Sequence, residues 1–233
     1  MSKKVIFKDL GSIDYQECWD YQDSLFKTNV QTKLSNRKEN KNEPTTNFLL
    51  FCEHPHVYTL GKSGDKSHLL IDEQKLKERN AKYYKIDRGG DITYHGPGQL
   101  VVYPILDLDH FFTDIHKYLR FLEEAIIETL AEFGIQTGRI DGLTGVWTIP
   151  QKNNPAKKLC AMGVRCSRWV TMHGLALNIN PDLTYFNNIV PCGISDKAVS
   201  SMQAELKQKV SISEVKKVLL EKLVGLFEFE IVQ

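Results

Sequence analysis

Apolar positions recur along the chain at two spacings, and the switches between them mark out its elements. Val5 to Leu10 reads as a short first strand. Tyr15, Trp19, Phe26, Val30 and Leu34 then recur at helical spacing and predict a long amphipathic helix. Asn47 to Glu53 (NFLLFCE) is a buried strand broken at His54-Pro55, and Val57 to Leu60 resumes extended structure up to Gly61. Lys82 to Asp87 (KYYKID) leads into a glycine-rich segment, and Gln99 to Leu106 is the strand that leaves it.

Ile115, Leu119, Leu122, Ile126, Leu130 and Phe133 make the clearest helix, stopped by Gly134. Strands follow at Gly145 to Ile149, Lys158 to Cys166 and Leu175 to Ile179, with a polar loop, PQKNNPAK, over Pro150 to Lys157. Ser211-x-x-Glu214 is a capping-box pattern. The helix it opens carries Val215, Val218, Leu219, Leu223 and Leu226 on one face, and Phe229 to Val232 reads as a closing strand. Strands and helices are interspersed without a regular βαβ beat, and no repeat or linker divides them. The chain is therefore expected to be α+β, one domain over residues 1–233.

Composition narrows the functional classes. With 30 basic against 29 acidic residues the net charge is +1, so nothing draws the chain toward nucleic acid or a membrane surface. The start, MSKKVIFKDL, has no apolar leader core and no window approaches a membrane span, which predicts a cytoplasmic protein. The five cysteines form no CxxC pair, against a zinc knuckle or disulfide framework. Cys18, Cys52, Cys160 and Cys166 sit among apolar residues and are expected to pack as small hydrophobes. His54 and His56 flank Pro55, but no carboxylate or cysteine pattern completes a metal site.

Three segments carry the candidate chemistry. RGGDITYHGPGQLVVY, from Arg88 to Tyr103, gathers Gly89, Gly90, Gly96 and Gly98 around polar side chains and then runs into an apolar strand. Glycine suits close approach to a ligand. The amides near Gly89 and Gly90 could hold a carbonyl or carboxylate, with Arg88 and His95 as side-chain donors. There is no GxGxxG and no GK[ST], so neither nucleotide loop applies. In KKLCAMGVR (Lys157 to Arg165), Lys158 opens an apolar run. In NNIVPCGI (Asn187 to Ile194), Cys192 lies between Pro191 and Gly193, where a thiol can be exposed and oriented. A nucleophilic thiolate needs a neighbouring base or positive charge. His95, His173 and Lys158 are the available partners. His173-Gly174 is a further histidine–glycine step, feeding the strand at Leu175.

RGGxxTYHGPGQxVxYP, KxxAxGV, HGLALN and PCGI, in this order, together with EHPHVYTLGK at Glu53 to Lys62, resemble the lipoyl(octanoyl) transferases of lipoate synthesis. The likeness runs from about Phe48 to Ile194. It implies a mixed-sheet α+β domain like the catalytic domains of biotin and lipoate protein ligases. It implies transfer of octanoyl from acyl carrier protein to a lysine of lipoyl domains, in 2-oxoacid dehydrogenase complexes or the glycine cleavage carrier protein, without cofactor. By position, Cys192 would be the acyl-thioester nucleophile and Lys158 the residue that lowers its pKa. Arg88, Gly89, Gly90, Asp91, Ile92, Thr93, Tyr94 and His95, with Ala161, Met162, Gly163, Gly174, Leu175 and Ala176, would line the acyl substrate. Cys160 and Met162 are variants inside the lysine motif, and the loop before Lys158 is long for the family. The ATP-dependent ligases of the same fold use a lysine without a nucleophilic cysteine, and no GRGR-type nucleotide loop is present here.

Overall fold

The computed structural model describes residues 3–152, 155–190 and 198–232. In chain order it runs β1 (Lys3–Ser12), α1 (Tyr15–Glu39), β2 (Asn47–Glu53), β3 (Val57–Leu60), α2 (Glu73–Glu78), β4 (Lys82–Lys85), β5 (Ile92–His95) and β6 (Gln99–Ile105). It continues with α3 (Ile115–Glu132), β7 (Thr137–Ile140), β8 (Leu143–Thr148), β9 (Lys158–Ser167), β10 (Val170–Asn178), α4 (Met202–Leu206), α5 (Ile212–Phe227) and β11 (Phe229–Val232).

The strands form two sheets. The larger has the order β11-β1-β2-β6-β10-β9-β8-β7, and the smaller has the order β4-β3-β5. In the large sheet β1 pairs in parallel with β11 and β2, and the other neighbours are antiparallel. The sheet is mixed, as expected.

Strand periodicity explains the layers. Leu49 and Phe51 of β2, Leu100 and Val102 of β6, and Leu175 and Leu177 of β10 enter one apolar cluster with α3 and α5. Their alternates Leu50, Cys52, Val101, Tyr103 and Ala176 enter a second cluster with α1. Both faces are buried, so these strands read as continuous apolar runs.

Helix α1 starts at Asp14, whose carboxylate accepts from the Gln16 amide, and ends on left-handed Asn40. Its buried seam is Tyr15, Cys18, Gln22, Phe26 and Asn29, one step round from the expected stripe. Gln22 and Asn29 explain the offset. Asn29 exchanges hydrogen bonds with the Thr46 backbone, and Gln22 Oε1 accepts from the His173 amide at 3.3 Å. Two buried amides thus fix the helix against the sheet. Ser211 caps α5 by accepting from the Glu214 amide.

Several boundaries differ from the sequence reading by a residue or more, and α2, β7 and α4 were not expected from it. β1 extends past both expected ends. β10 begins at Val170, so Met172 to Gly174 lies inside the strand. Ile92–His95 of the glycine-rich segment is itself a strand, β5, paired with β3. Cys18, Cys52 and Cys160 are buried as expected, but Cys166 is exposed, because it lies near the β9–β10 turn where the strand end reaches solvent. Among the described residues no helix is long and apolar enough to cross a membrane.

Candidate functional site

A cavity of about 90 Å³, partly open to solvent, lies where the small sheet meets the α1 face of the large one. Arg88, Gly90, Asp91, Ile92, Thr93 and His95 line it from the small-sheet side. Lys158, Ala161, Met162, Gly163, Gly174, Leu175 and Ala176 line it from β9 and β10. Its walls are largely apolar with a few polar groups, the make-up of a small-molecule site.

The two walls touch through backbone. The Gly89 amide donates to the Val164 carbonyl at 3.0 Å, and a Cβ at Gly163 would stand 2.7 Å from the Gly89 carbonyl oxygen. That bond occupies the Gly89 amide, so it is not one of the open donors the sequence suggested. Arg88 is also engaged. Its guanidinium donates to the Thr59 carbonyl and hydroxyl and to the Gly89 carbonyl, bracing the loop from within. Tyr94 points the other way. It is fully buried, bonded to His56 and stacked on Tyr185, as strand alternation from Thr93 and His95 requires.

Two histidines face the cavity. His95 Nδ1 bonds Gln99 Oε1 at 2.7 Å, and Gln99 in turn donates to Asn178 Oδ1. Burial, with neighbouring His54 adding to it, pushes His95 down to about 3, so the ring is neutral and cannot act as a cation. His173 Nε2 sits 3.0 Å from Asp87 Oδ1, and Asp87 also pairs with Arg165. His173 holds φ at +62°, an unusual value for a bulky residue in a strand. Burial lowers its pKa against the opposing pull of Asp87.

These histidines predict an acid sensitivity. Burial holds His54, His95 and His173 below the ordinary histidine value of 6.5. Below that pH the unfolded chain binds protons that the folded one refuses, so stability falls as pH drops. Each fully neutral site costs up to about 1.4 kcal/mol per pH unit. Melting temperature should be nearly level above pH 7 and fall steeply from 6.5 to 5, with His95→Gln showing a shallower fall. A level profile from pH 7 to 5 would contradict the burial of these rings.

Lys158 opens β9 at the cavity rim. Its amide donates to the Ala198 carbonyl and its carbonyl accepts from the Ser200 amide, both at 3.0 Å, in a parallel bridge to Val199. Its ammonium lies 4.5 Å from the centroid of the Trp147 ring. Cys192, with Pro191, Gly193 and Ile194, lies outside the described residues. The described chain on either side is held at Val190, whose amide donates to the His68 carbonyl at 2.9 Å, and at Ala198 beside Lys158. His68 in turn bonds Asp91 of the glycine-rich segment at 2.6 Å.

Of the residues expected to act on or line the acyl substrate, all the described ones except Gly89 and Tyr94 line the cavity. Of the apolar residues after Lys158, Met162 reaches the cavity, whereas Leu159 belongs to the core against α3 and α5. Tyr15, Phe186, Asn178 and Val199 also line it and were not anticipated. Tyr15 is far along the chain from the other three, and only the fold unites them. Trp147 was also missed. An aromatic residue in the strand before a motif lysine was the available signal.

The fold also brings Cys18 and Cys52 beside His54, with ligand-type atoms within 4.8 Å, a cluster the sequence did not suggest. Each group is already partnered. His54 bonds the Ile13 carbonyl and Tyr103 Oη at 2.8 Å, Cys52 Sγ lies 3.5 Å from His54 Nε2, and Gln22 donates to Cys18. Burial pushes the Cys52 thiol up, favouring the neutral form.

Comparison with known proteins agrees with this geometry. Residues 14–224 match the model of the lipoyl protein ligase A/B catalytic domain. A relative named Octanoyltransferase, from Cytophaga hutchinsonii, is 63% identical over 234 residues, covering 99% of this chain and 95% of its own. Among solved structures, a bi-partite lipoate protein ligase from Thermoplasma acidophilum, studied with its E2 lipoyl domain, has a TM-score of 0.69 at 17% identity, covering 100% of this chain and 86% of its own. Biotin protein ligase from Aquifex aeolicus, in complex with biotin and ATP, has a TM-score of 0.52 at 14% identity, covering 97% of this chain and 71% of its own. The two structures share the fold, and the close relative and the matched domain carry the kinship: this chain belongs to the lipoyl protein ligase A/B catalytic-domain family.

Proposed function

We propose that the chain, as a single catalytic domain, is a cytoplasmic octanoyltransferase. It moves octanoyl from acyl carrier protein to a lysine of lipoyl domains, of 2-oxoacid dehydrogenase complexes or the glycine cleavage carrier protein, through a thioester on Cys192. The name carried by the close relative supports the acyl group and the reaction class. The observation that carries the mechanism is the bridge between Lys158 and Val199 at the cavity rim. The chain bearing Cys192 rejoins the described fold beside the lysine that would serve it.

In this reading Lys158 takes the Cys192 proton, and the thiolate attacks the donor thioester carbonyl. The tetrahedral adduct collapses, the C–S bond to the phosphopantetheine sulfur breaks, and Lys158 returns its proton to that sulfur. The neutral amine then takes a proton from the incoming lysine as it attacks the acyl-cysteine. The Cys192 thiolate departs and Lys158 is left as the ammonium. Exchange of one thioester for another is nearly isoenergetic and aminolysis is downhill, so no ATP is consumed. Ala161, Met162, Gly163, Gly174, Leu175 and Ala176, opposite Arg88 to His95, form the acyl-binding walls, in which Gly89 and Tyr94 act through the loop rather than by contact.

Intact-mass spectrometry after mixing with octanoyl-acyl carrier protein tests this. One octanoyl adduct should form, map to Cys192 and be removed by hydroxylamine. Transfer proceeding with no adduct in rapid-quench samples would overturn the covalent route, and a requirement for ATP with free octanoate would overturn the donor.

A further inference from the structure

The proposed reaction asks Lys158 to be an ammonium and an amine in turn while its nitrogen stays in one place. A lysine side chain has four rotatable carbons and considerable rotamer freedom, so something must hold its end. The fold supplies a candidate. Trp147 on β8 is the register partner of Lys158 on β9, which puts both side chains on one side of the sheet. The pairing slips there, with Val146 opposite Cys160 and Trp147 opposite Lys158, so Leu159 is the extra residue of a bulge. Bulges re-aim neighbouring side chains. The ammonium ends 4.5 Å from the indole centroid, over a ring that is 3% exposed.

We infer that Trp147 is a positioning residue for Lys158: its ring face holds the ammonium at the cavity rim and favours the thiolate–ammonium state of the Cys192 pair. This rests on the assignment of Lys158 to proton transfer. Tryptophan has the strongest π face among the side chains, and the attraction grows when the contact is shielded from water. Trp147 does not touch substrate in this scheme. It acts through Lys158 alone, so its loss changes how readily the sulfur ionises rather than how well the donor binds.

The test uses the full chain with Trp147→Phe and Trp147→Leu, each checked for folding by thermal melting. Two quantities are read: the pH midpoint of Cys192 alkylation by iodoacetamide, followed by mass, and the single-turnover rate of acylation by octanoyl-acyl carrier protein. Trp147→Leu should move the midpoint upward by about one pH unit and slow acylation at neutral pH about tenfold, with KM for the donor within about twofold. Trp147→Phe should show about a threefold loss, and decides the matter if the leucine variant fails to fold. A folded variant with a wild-type midpoint and rate, or a loss confined to KM, would reduce Trp147 to packing and overturn the inference. Lys158→Ala separates the two readings. If it keeps the wild-type midpoint and rate, the assignment of Lys158 itself falls. If it loses them and adding Trp147→Leu changes nothing more, the ring acts through the lysine.

Discussion

Replacing Cys192 with alanine should lower octanoyl transfer at least about ten-thousandfold, to the level left by binding and orientation alone. The covalent route splits one acyl transfer into two thiolate-mediated steps, and without the sulfur the acceptor amine must attack the carrier thioester directly. The fold should survive, because the flanking chain is tied by backbone bonds at Val190 and Ala198. Cys192→Ser should be nearly as inactive, since a hydroxyl ionises far less readily than a thiol. Radiolabelled octanoyl transfer to a lipoyl domain measures both. An alanine variant with wild-type turnover would remove the acyl-enzyme from the mechanism.

Gly174→Ala should have the largest effect on stability of any single methyl added to the site. A Cβ there would lie 2.0 Å from the Val102 carbonyl oxygen and 2.8 Å from Pro104 Cδ. Both obstacles belong to the adjacent central strand β6, so no flexible side chain can give way. Relief requires parting β10 from β6 in the middle of the sheet, at a cost of about 4 kcal/mol, the upper end of overpacking effects. For a chain of this size the melting temperature should fall by about 10 °C or more. Melting of the purified variant checks this, and a shift under 2 °C would mean that the sheet yields there.

Much of this was legible in the sequence, for identifiable reasons. Helices α3 and α5 and strands β2, β6 and β9 announced themselves because each buries its pattern in a single direction or runs wholly apolar. The seam of α1 was misjudged by one step because Gln22 and Asn29 look like surface residues until their backbone partners are known. The small sheet was visible only as three separate extended pieces. Pairing β3 with both β4 and β5 depends on contacts across more than 20 positions, which local periodicity does not record. At the site, residue types and order pointed to the residues of both cavity walls and to Lys158 at their rim, while Cys192 lies outside the described residues. They did not disclose that Arg88 and the Gly89 amide are already engaged, or that Tyr94 faces away. Hydrogen-bond occupancy and strand parity at a turn are tertiary facts.

The bond from Gly89 to Val164, with Gly163 pressed against the Gly89 carbonyl, has a consequence for how this enzyme can change. The width of the cavity between these walls is set by main chain resting on main chain. Trimming a side chain cannot bring such walls closer, and enlarging one of these glycines must move a whole sheet. Selection for larger or smaller ligands would therefore act elsewhere around the cavity, leaving this gap as an inherited constant.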